Sequence, residues 1–212
     1  MSGAILTVAQ QKGGAGKTTL VAQLAVALVA TGRRIACVDI DPQASLSAWA
    51  ALRERAGGYT PIRVVASPGW KLDMTLGDLA RGHDVVLVDS PPHAETEARV
   101  AVRAARLVLV PCQPSYLDVW ASRATLDLVK RERRAAAILW NRLPPRGRVV
   151  DEAKAAAAEA GLEALDATLG NRSDFARSLH AGAGVVETAP RSAAAREIRA
   201  LTAGLAPRLA RG

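Results

Sequence analysis

The sequence predicts an α/β fold: a mostly parallel, twisted sheet with helices packed on both faces. Three observations carry that prediction. Five or more short apolar runs alternate with stretches of helical periodicity along the chain. Two of those runs, at 85–88 and 107–110, are continuously apolar, as expected of strands buried on both sides in a parallel sheet. The first run feeds a Gly-rich turn that opens directly into a helix. With 212 residues, half of them hydrophobic, and no internal repeat, heptad pattern or linker, the chain is expected to form a single domain over 1–212.

Ala4, Ile5, Leu6 and Val8 make the first strand, and Leu20, Val21, Leu24, Ala25 and Leu28 recur at helical spacing after it. Between them lies Lys12-Gly13-Gly14-Ala15-Gly16-Lys17-Thr18-Thr19. Glycines let successive N–H groups turn toward one spot, and the following helix adds the positive end of its dipole, so the turn is a cradle for phosphate oxygens. In such a loop Lys17 reaches the β- and γ-phosphates of a nucleoside triphosphate, the Thr18 hydroxyl ligates Mg²⁺, and Thr19 starts the helix near the α-phosphate. The first glycine of the general pattern is replaced by Gln11, and Lys12 follows it. Two lysines in one tight turn repel, so Lys12 implies a nearby polyanion. A second copy of the chain could carry it, since Lys17 already serves its own nucleotide.

After Thr31-Gly32 a second strand, Ile35–Val38, ends in Asp39-Ile40-Asp41-Pro42-Gln43. Asp39 and Asp41 lie two apart and share a face if extended. Carboxylates at a strand's C-terminal end beside a phosphate loop bind Mg²⁺ through water or orient an attacking water. A helix from Ser45 carries Trp49 and Leu52. The pattern weakens over 57–82, where a short strand (62–65) and a short helix (74–80) are expected, with Trp70 and Lys71 in a loop. The next strand, 84–89, ends at Asp89, placed as a carboxylate that holds Mg²⁺ through water, and Ser90-Pro91-Pro92-His93 follows. His93 reads as a loop histidine without an acid partner.

A helix over 96–105 and a buried strand over 107–111 come next. The connection from Pro111 to Asp118 leads to a helix over 117–134, ending in Lys130-Arg131-Glu132-Arg133-Arg134. That cluster suits either a solvated helix end or a DNA-contact patch. The strand 136–140 ends at Asn141, whose amide can address both donor and acceptor edges of adenine or form a turn. A basic loop, 145–148, leads to an Ala-rich helix over 150–160. A last short strand within 162–169, a helix from Asn171 to before Gly182, and a helix over 193–205 broken by Pro207 complete the reading.

The formal charge is +8, from 28 cations against 20 anions. A basic surface attracts nucleic acid through its phosphates without regard to sequence. Aromatic residues make up only 3% of the chain, which favours the duplex backbone over stacking on single strands. The two cysteines, Cys37 and Cys112, suit small buried side chains in a reducing cytosol, with a disulfide the alternative. No signal peptide or membrane span is expected, and a cytoplasmic location follows.

The run KGGAGKTT resembles the deviant Walker A loop of the ParA/MinD family of P-loop NTPases, and the chain as a whole resembles its small ParF-like members, which lack an N-terminal DNA-binding domain. The resemblance implies ATP and Mg²⁺ as cofactors, with Lys12 crossing a homodimer interface to the partner's phosphates. It implies a catalytic set of Lys12, Lys17 and Asp41, where Asp41 in the first switch helps activate water. Thr18, Asp89 and, in the outer shell, Asp39 would hold the metal. Gly13, Gly14, Ala15, Gly16, Thr18 and Thr19 would cradle phosphate, Asn141 would contact adenine, and the proline-bearing loop from Pro111 would border the nucleotide or simply turn the chain. Arg172, Arg177, Arg191, Arg196 and Arg199 would touch nonspecific double-stranded DNA.

The implied function is a slow ATP hydrolase, stimulated by a ParB/ParG-like adaptor or cargo protein and associated with the nucleoid. It would segregate or position a plasmid, chromosome, chemoreceptor cluster or carboxysome. A MinD-type membrane ATPase needs an amphipathic C-terminal helix that the sequence does not predict. An iron–sulfur reductase needs paired cluster cysteines. A small-molecule ligase or kinase needs a substrate pocket and no basic excess.

Overall fold

The computed structural model describes residues 2–92, 95–145 and 147–210; His93 and Arg146 lie outside them. Six strands form one parallel sheet: β1 (Ala4–Val8), β2 (Ile35–Asp39), β3 (Arg63–Ala66), β4 (Val85–Asp89), β5 (Leu107–Cys112) and β6 (Ala135–Trp140), in the order β3-β2-β4-β1-β5-β6. The strand order reverses beside β1, so the loops after β1, β2 and β4 open into one crevice at the C-terminal edge.

Alternation along each strand sorts the helices. On one face Leu6, Val8, Cys37, Leu87, Leu109 and Leu139 pack on α1 (Lys17–Val29), α2 (Ser45–Ala56), α7 (Ser173–His180), α8 (Val185–Thr188) and α9 (Ala193–Ala210). On the other face Val86, Val88, Val108 and Val110 meet α3 (Leu72–Gly82), α4 (Glu95–Ala104) and α5 (Tyr116–Arg131), and Ile138 and Trp140 meet α6 (Arg148–Glu159). Helix α1 is apolar nearly all round because it lies between the sheet and α9, with Leu20, Val21, Leu24 and Leu28 all 2% exposed or less.

Three expectations are corrected. Residues 162–169 form no strand: they meet β6 at one isolated bridge, Ile138 with Ala164, and at a bond from the Leu169 N–H to the Trp140 carbonyl, while a second bridge, Leu143 with Gly170, lies beyond both segments. Helix α9 is not broken by Pro207 but continues to Ala210. The proline forfeits only the bond to Ala203, an exposed residue whose carbonyl water can serve, while Leu201, Leu205 and Leu209 keep the buried stripe going. That stripe faces the core, so α9 offers no free apolar face. Strand β5 runs one residue further than expected, to Cys112, and α5 ends at Arg131. Both cysteines are free and buried. Among the described residues no helix is long and apolar enough to cross a membrane.

Candidate functional site

The phosphate loop occupies the crevice between β1 and α1. Gly14 and Gly16 adopt φ of 74° and 90°, the left-handed region that glycine enters without strain, and these two turns aim the chain into the helix. No side chain caps the start of α1 and its first turn holds no acid, so its N–H groups remain available to an anion. Lys17 is 7% exposed and its Nζ donates to the Gln10 carbonyl at 3.1 Å. Burial lowers its pKa, offset by the charges of Asp89 and Asp41, which places both acids within electrostatic reach of the loop.

Sheet register brings the two strand-end acids together: Asp39 of β2 stands opposite Asp89 of β4, which in turn stands opposite Val8. Asp39 is committed. Its Oδ1 accepts from the Asp41 N–H at 3.2 Å, and its Oδ2 accepts from both the N–H and hydroxyl of Ser47 at 2.8 Å, so it anchors the loop and the first turn of α2. Asp41 sits on that loop, half-buried, accepting from the Gln43 N–H at 2.9 Å. Asp89 is the opposite case, fully buried with neither oxygen in a hydrogen bond among the described residues. Burial pushes its pKa up to about 7; the Thr18 hydroxyl and Lys17 draw it back without satisfying either oxygen, while Asp39 and Asp41 push it further up.

A buried carboxylate left unsatisfied costs free energy unless a cation completes it. Asp89, with the Thr18 hydroxyl beside it, therefore fits Mg²⁺. Among the described residues no group of three or more His, Cys, Asp or Glu could hold a metal by itself. Phosphate oxygens and water would complete the shell, as Mg²⁺ ordinarily prefers.

The far wall of the loop comes from β5, β6 and α5. Asn141 is buried at the end of β6, where its Nδ2 donates to the Ala15 carbonyl at 2.8 Å and its Oδ1 accepts from the Arg142 N–H. It thus braces the loop. Pro111 is buried within β5, its carbonyl accepting from the Gln10 amide at 3.4 Å, so it lies behind Gln10. From the same connection Gln113 reaches the loop surface, donating to the Gly14 carbonyl. Gln10 also donates to Ser122 at 2.8 Å, and the Gln11 N–H donates to Thr125.

Lys12 requires a correction. Mutual repulsion with Lys17 does not by itself demand a polyanion, because the chain supplies a single counter-charge: Lys12 Nζ donates to Asp118 Oδ2 at 2.8 Å. Local pattern gives no role to Asp118, Gln10, Ser122 or Thr125. Ser115 and Asp118 carry a recognisable helix-start spacing, but nothing local links α5 to the phosphate loop more than a hundred residues earlier.

Four of the five arginines expected to touch DNA, Arg172, Arg177, Arg196 and Arg199, are engaged within the chain. Arg172 pairs with Glu197 at 2.7 Å and Arg177 lies 3.6 Å from Asp174. Arg196 donates to the Arg191 carbonyl and Arg199 to the Pro190 carbonyl. These bonds gather Arg172, Arg191, Arg196 and Arg199 around the first half of α9, with Arg177 apart on α7.

A parallel sheet with its reversal point beside a glycine-rich strand–loop–helix unit, an uncapped helix start and a strand-end acid poised for a metal define a P-loop nucleotide-binding domain. The chain belongs to the CobQ/CobB/MinD/ParA nucleotide binding domain family, whose model matches residues 6–185. It is 27% identical over 196 residues to the maintenance of carboxysome distribution protein A of Halothiobacillus neapolitanus, covering 90% of each chain. The protein of that name from Gloeobacter kilaueensis is 34% identical over 171 residues, 77% of this chain and 74% of that one. The cell division ATPase MinD of Pyrococcus furiosus superposes with a TM-score of 0.82 at 22% identity, over 97% of this chain and 99% of that one. An ATP complex of McdA from Cyanothece superposes with a TM-score of 0.80 at 17% identity, over 97% of each.

Proposed function

We propose that the chain is a ParA-type positioning ATPase that binds ATP with Mg²⁺, pairs with a second copy, and in the paired state holds nonspecific duplex DNA. The observation that carries the reading is Asp89, a buried carboxylate without a hydrogen-bond partner among the described residues, beside Thr18 and an uncapped helix start. Bound Mg²⁺ would neutralise charge on the phosphates, held by Thr18 and Asp89, with Asp39 fixing the loop around it. The chain's own residues divide the remaining work. The N–H groups from Gly13 to Thr19 cradle phosphate oxygens, Lys17 moves from the Gln10 carbonyl to the β- and γ-phosphates, and Asn141 addresses adenine from the brace it forms under Ala15.

Asp41, on a loop anchored by Asp39, orients the attacking water. Lys12 reaches the phosphates of the second copy. The arginines around α9, Arg172 in an exposed ion pair worth little in water and Arg196 and Arg199 on exposed backbone carbonyls, can exchange those partners for DNA phosphates, and the resemblance to carboxysome-distribution proteins supports a cargo of that kind. An adaptor or cargo protein would stimulate hydrolysis, and the protein would act in the cytoplasm on the nucleoid.

A second reading, an enzyme acting on a small molecule, is favoured by one feature: a cavity of about 820 Å³ at the C-terminal ends of β2 and β3, with Asp41, Ser67, Trp70 and Glu97 in its lining. Co-sedimentation with arbitrary duplex DNA separates the two. The positioning ATPase is retained with ATP, released with ADP, and lost as salt rises; retention that ignores the nucleotide sinks that reading.

A further inference from the structure

We infer that Asp118 is a positioning residue for Lys12, a docking acid within the same chain that stores the lysine until a triphosphate from a second copy displaces it. Lys12 Nζ lies 2.8 Å from Asp118 Oδ2, and the Asp118 side chain is only 7% exposed against 40% for Lys12. The acid is fixed before the lysine arrives. Ser115, the residue that caps α5, donates its hydroxyl to Asp118 Oδ2 and accepts from the Asp118 N–H at 3.1 Å. A carboxylate in the first turn is further favoured by the helix dipole.

The lysine, by contrast, comes from a loop segment tied to α5 by the Gln11 N–H, which donates to the Thr125 hydroxyl, and by the Gln10 side chain, which bonds Ser122 and Thr125. Only its half-exposed side chain is free to swing. Removing Lys12 therefore leaves Asp118 buried and short of one partner, so the stored state opposes departure of the lysine. Pairing becomes an exchange of one anion for another rather than the filling of an empty site. The resistance appears twice in a symmetric pair, once for each Lys12. This rests on the proposed ATP-dependent pairing, and it adds that the chain itself sets how much nucleotide pairing requires.

A plain capping role for Asp118 predicts lower stability on substitution and nothing more. Two readouts separate it from storage. In the nucleotide-free protein, acetylation of Lys12, followed by mass spectrometry against exposed Lys154, should be slow in the natural chain, several-fold faster in Asp118→Asn and slow again in Asp118→Glu. Equal rates at Lys12 and Lys154 in the natural chain overturn the inference and require no variant to fold.

In an ATP titration of pairing by light scattering, Asp118→Asn should raise the pairing constant by about fivefold per lysine, roughly 25-fold for the two, for ion pairs of this exposure; with two nucleotides taken up per pair, the ATP midpoint should fall by about fivefold. An unchanged midpoint, with the natural chain pairing normally, overturns the storage role and leaves the pairing reading intact. If the acetylation pattern appears but neither chain pairs with ATP, Lys12 storage stands and the pairing reading falls.

Discussion

Asp39 and Asp89 face each other in register on β2 and β4, and their surroundings are opposite: among the described residues Asp39 accepts three hydrogen bonds and Asp89 accepts none. One carboxylate builds the loop; the other waits for a cation. The contrast governs how the nucleotide-free chain responds to pH.

Asp89 is raised from its ordinary value of 3.8 to about 7 by burial. Between those values the folded chain binds a proton that the unfolded chain has lost, so stability falls as pH rises from about 4 to about 7 and levels off above it. At about 1.4 kcal/mol for each tenfold step, the loss is on the order of 4 kcal/mol. Urea denaturation of the nucleotide-free protein across that range should show the decline. Asp89→Asn should flatten it, leave the variant more stable than the natural chain at pH 8, and remove stabilisation by Mg²⁺ with ATP.

Asp39→Ala deletes the acceptor for the Ser47 N–H and hydroxyl and for the Asp41 N–H. Removing a helix-start acceptor typically costs about 1–2 kcal/mol. Hydrogen exchange should therefore speed up at Ser47 and along the first turn of α2. Unchanged protection there would contradict the anchoring role.

Gly16 combines a φ of 90° with a neighbour that leaves no room for a side chain: an added Cβ would lie 2.9 Å from Asn141 Nδ2. Gly16→Ala should cost about 1–2 kcal/mol in backbone strain alone and push the Asn141 brace aside. Isothermal titration with ATP should show binding lost or weakened beyond tenfold while the far-UV spectrum stays that of the natural chain.

Asn141→Leu leaves the buried Ala15 carbonyl without its donor, a loss of about 1–3 kcal/mol. Bracing alone weakens ATP and GTP equally. A contact to adenine adds a drop in the preference for ATP, so the ratio of the two affinities reads that role separately.

Local pattern was enough for the α/β class, the phosphate loop and the strand-end acids. A continuous apolar run, a left-handed glycine and a strand-to-helix order are each dictated by neighbouring residues. Distant packing overrides the local signal at the final helix and at the seventh strand: Leu205 and Leu209 carry α9 past Pro207, and 162–169 meet β6 only at the Ala164 bridge and at Leu169.

Residue chemistry alone fixes that Lys17, Thr18 and Asp89 meet at the C-terminal edge of a parallel sheet, since each sits at a strand end or phosphate loop that its neighbours define. What each charged group touches is settled by the packed fold. It gave Asp39 to α2, left Asp89 bare, and set Asp118 against Lys12 across 106 residues of chain. Electrostatic partners are chosen by distance in space, and the fold alone supplies that distance.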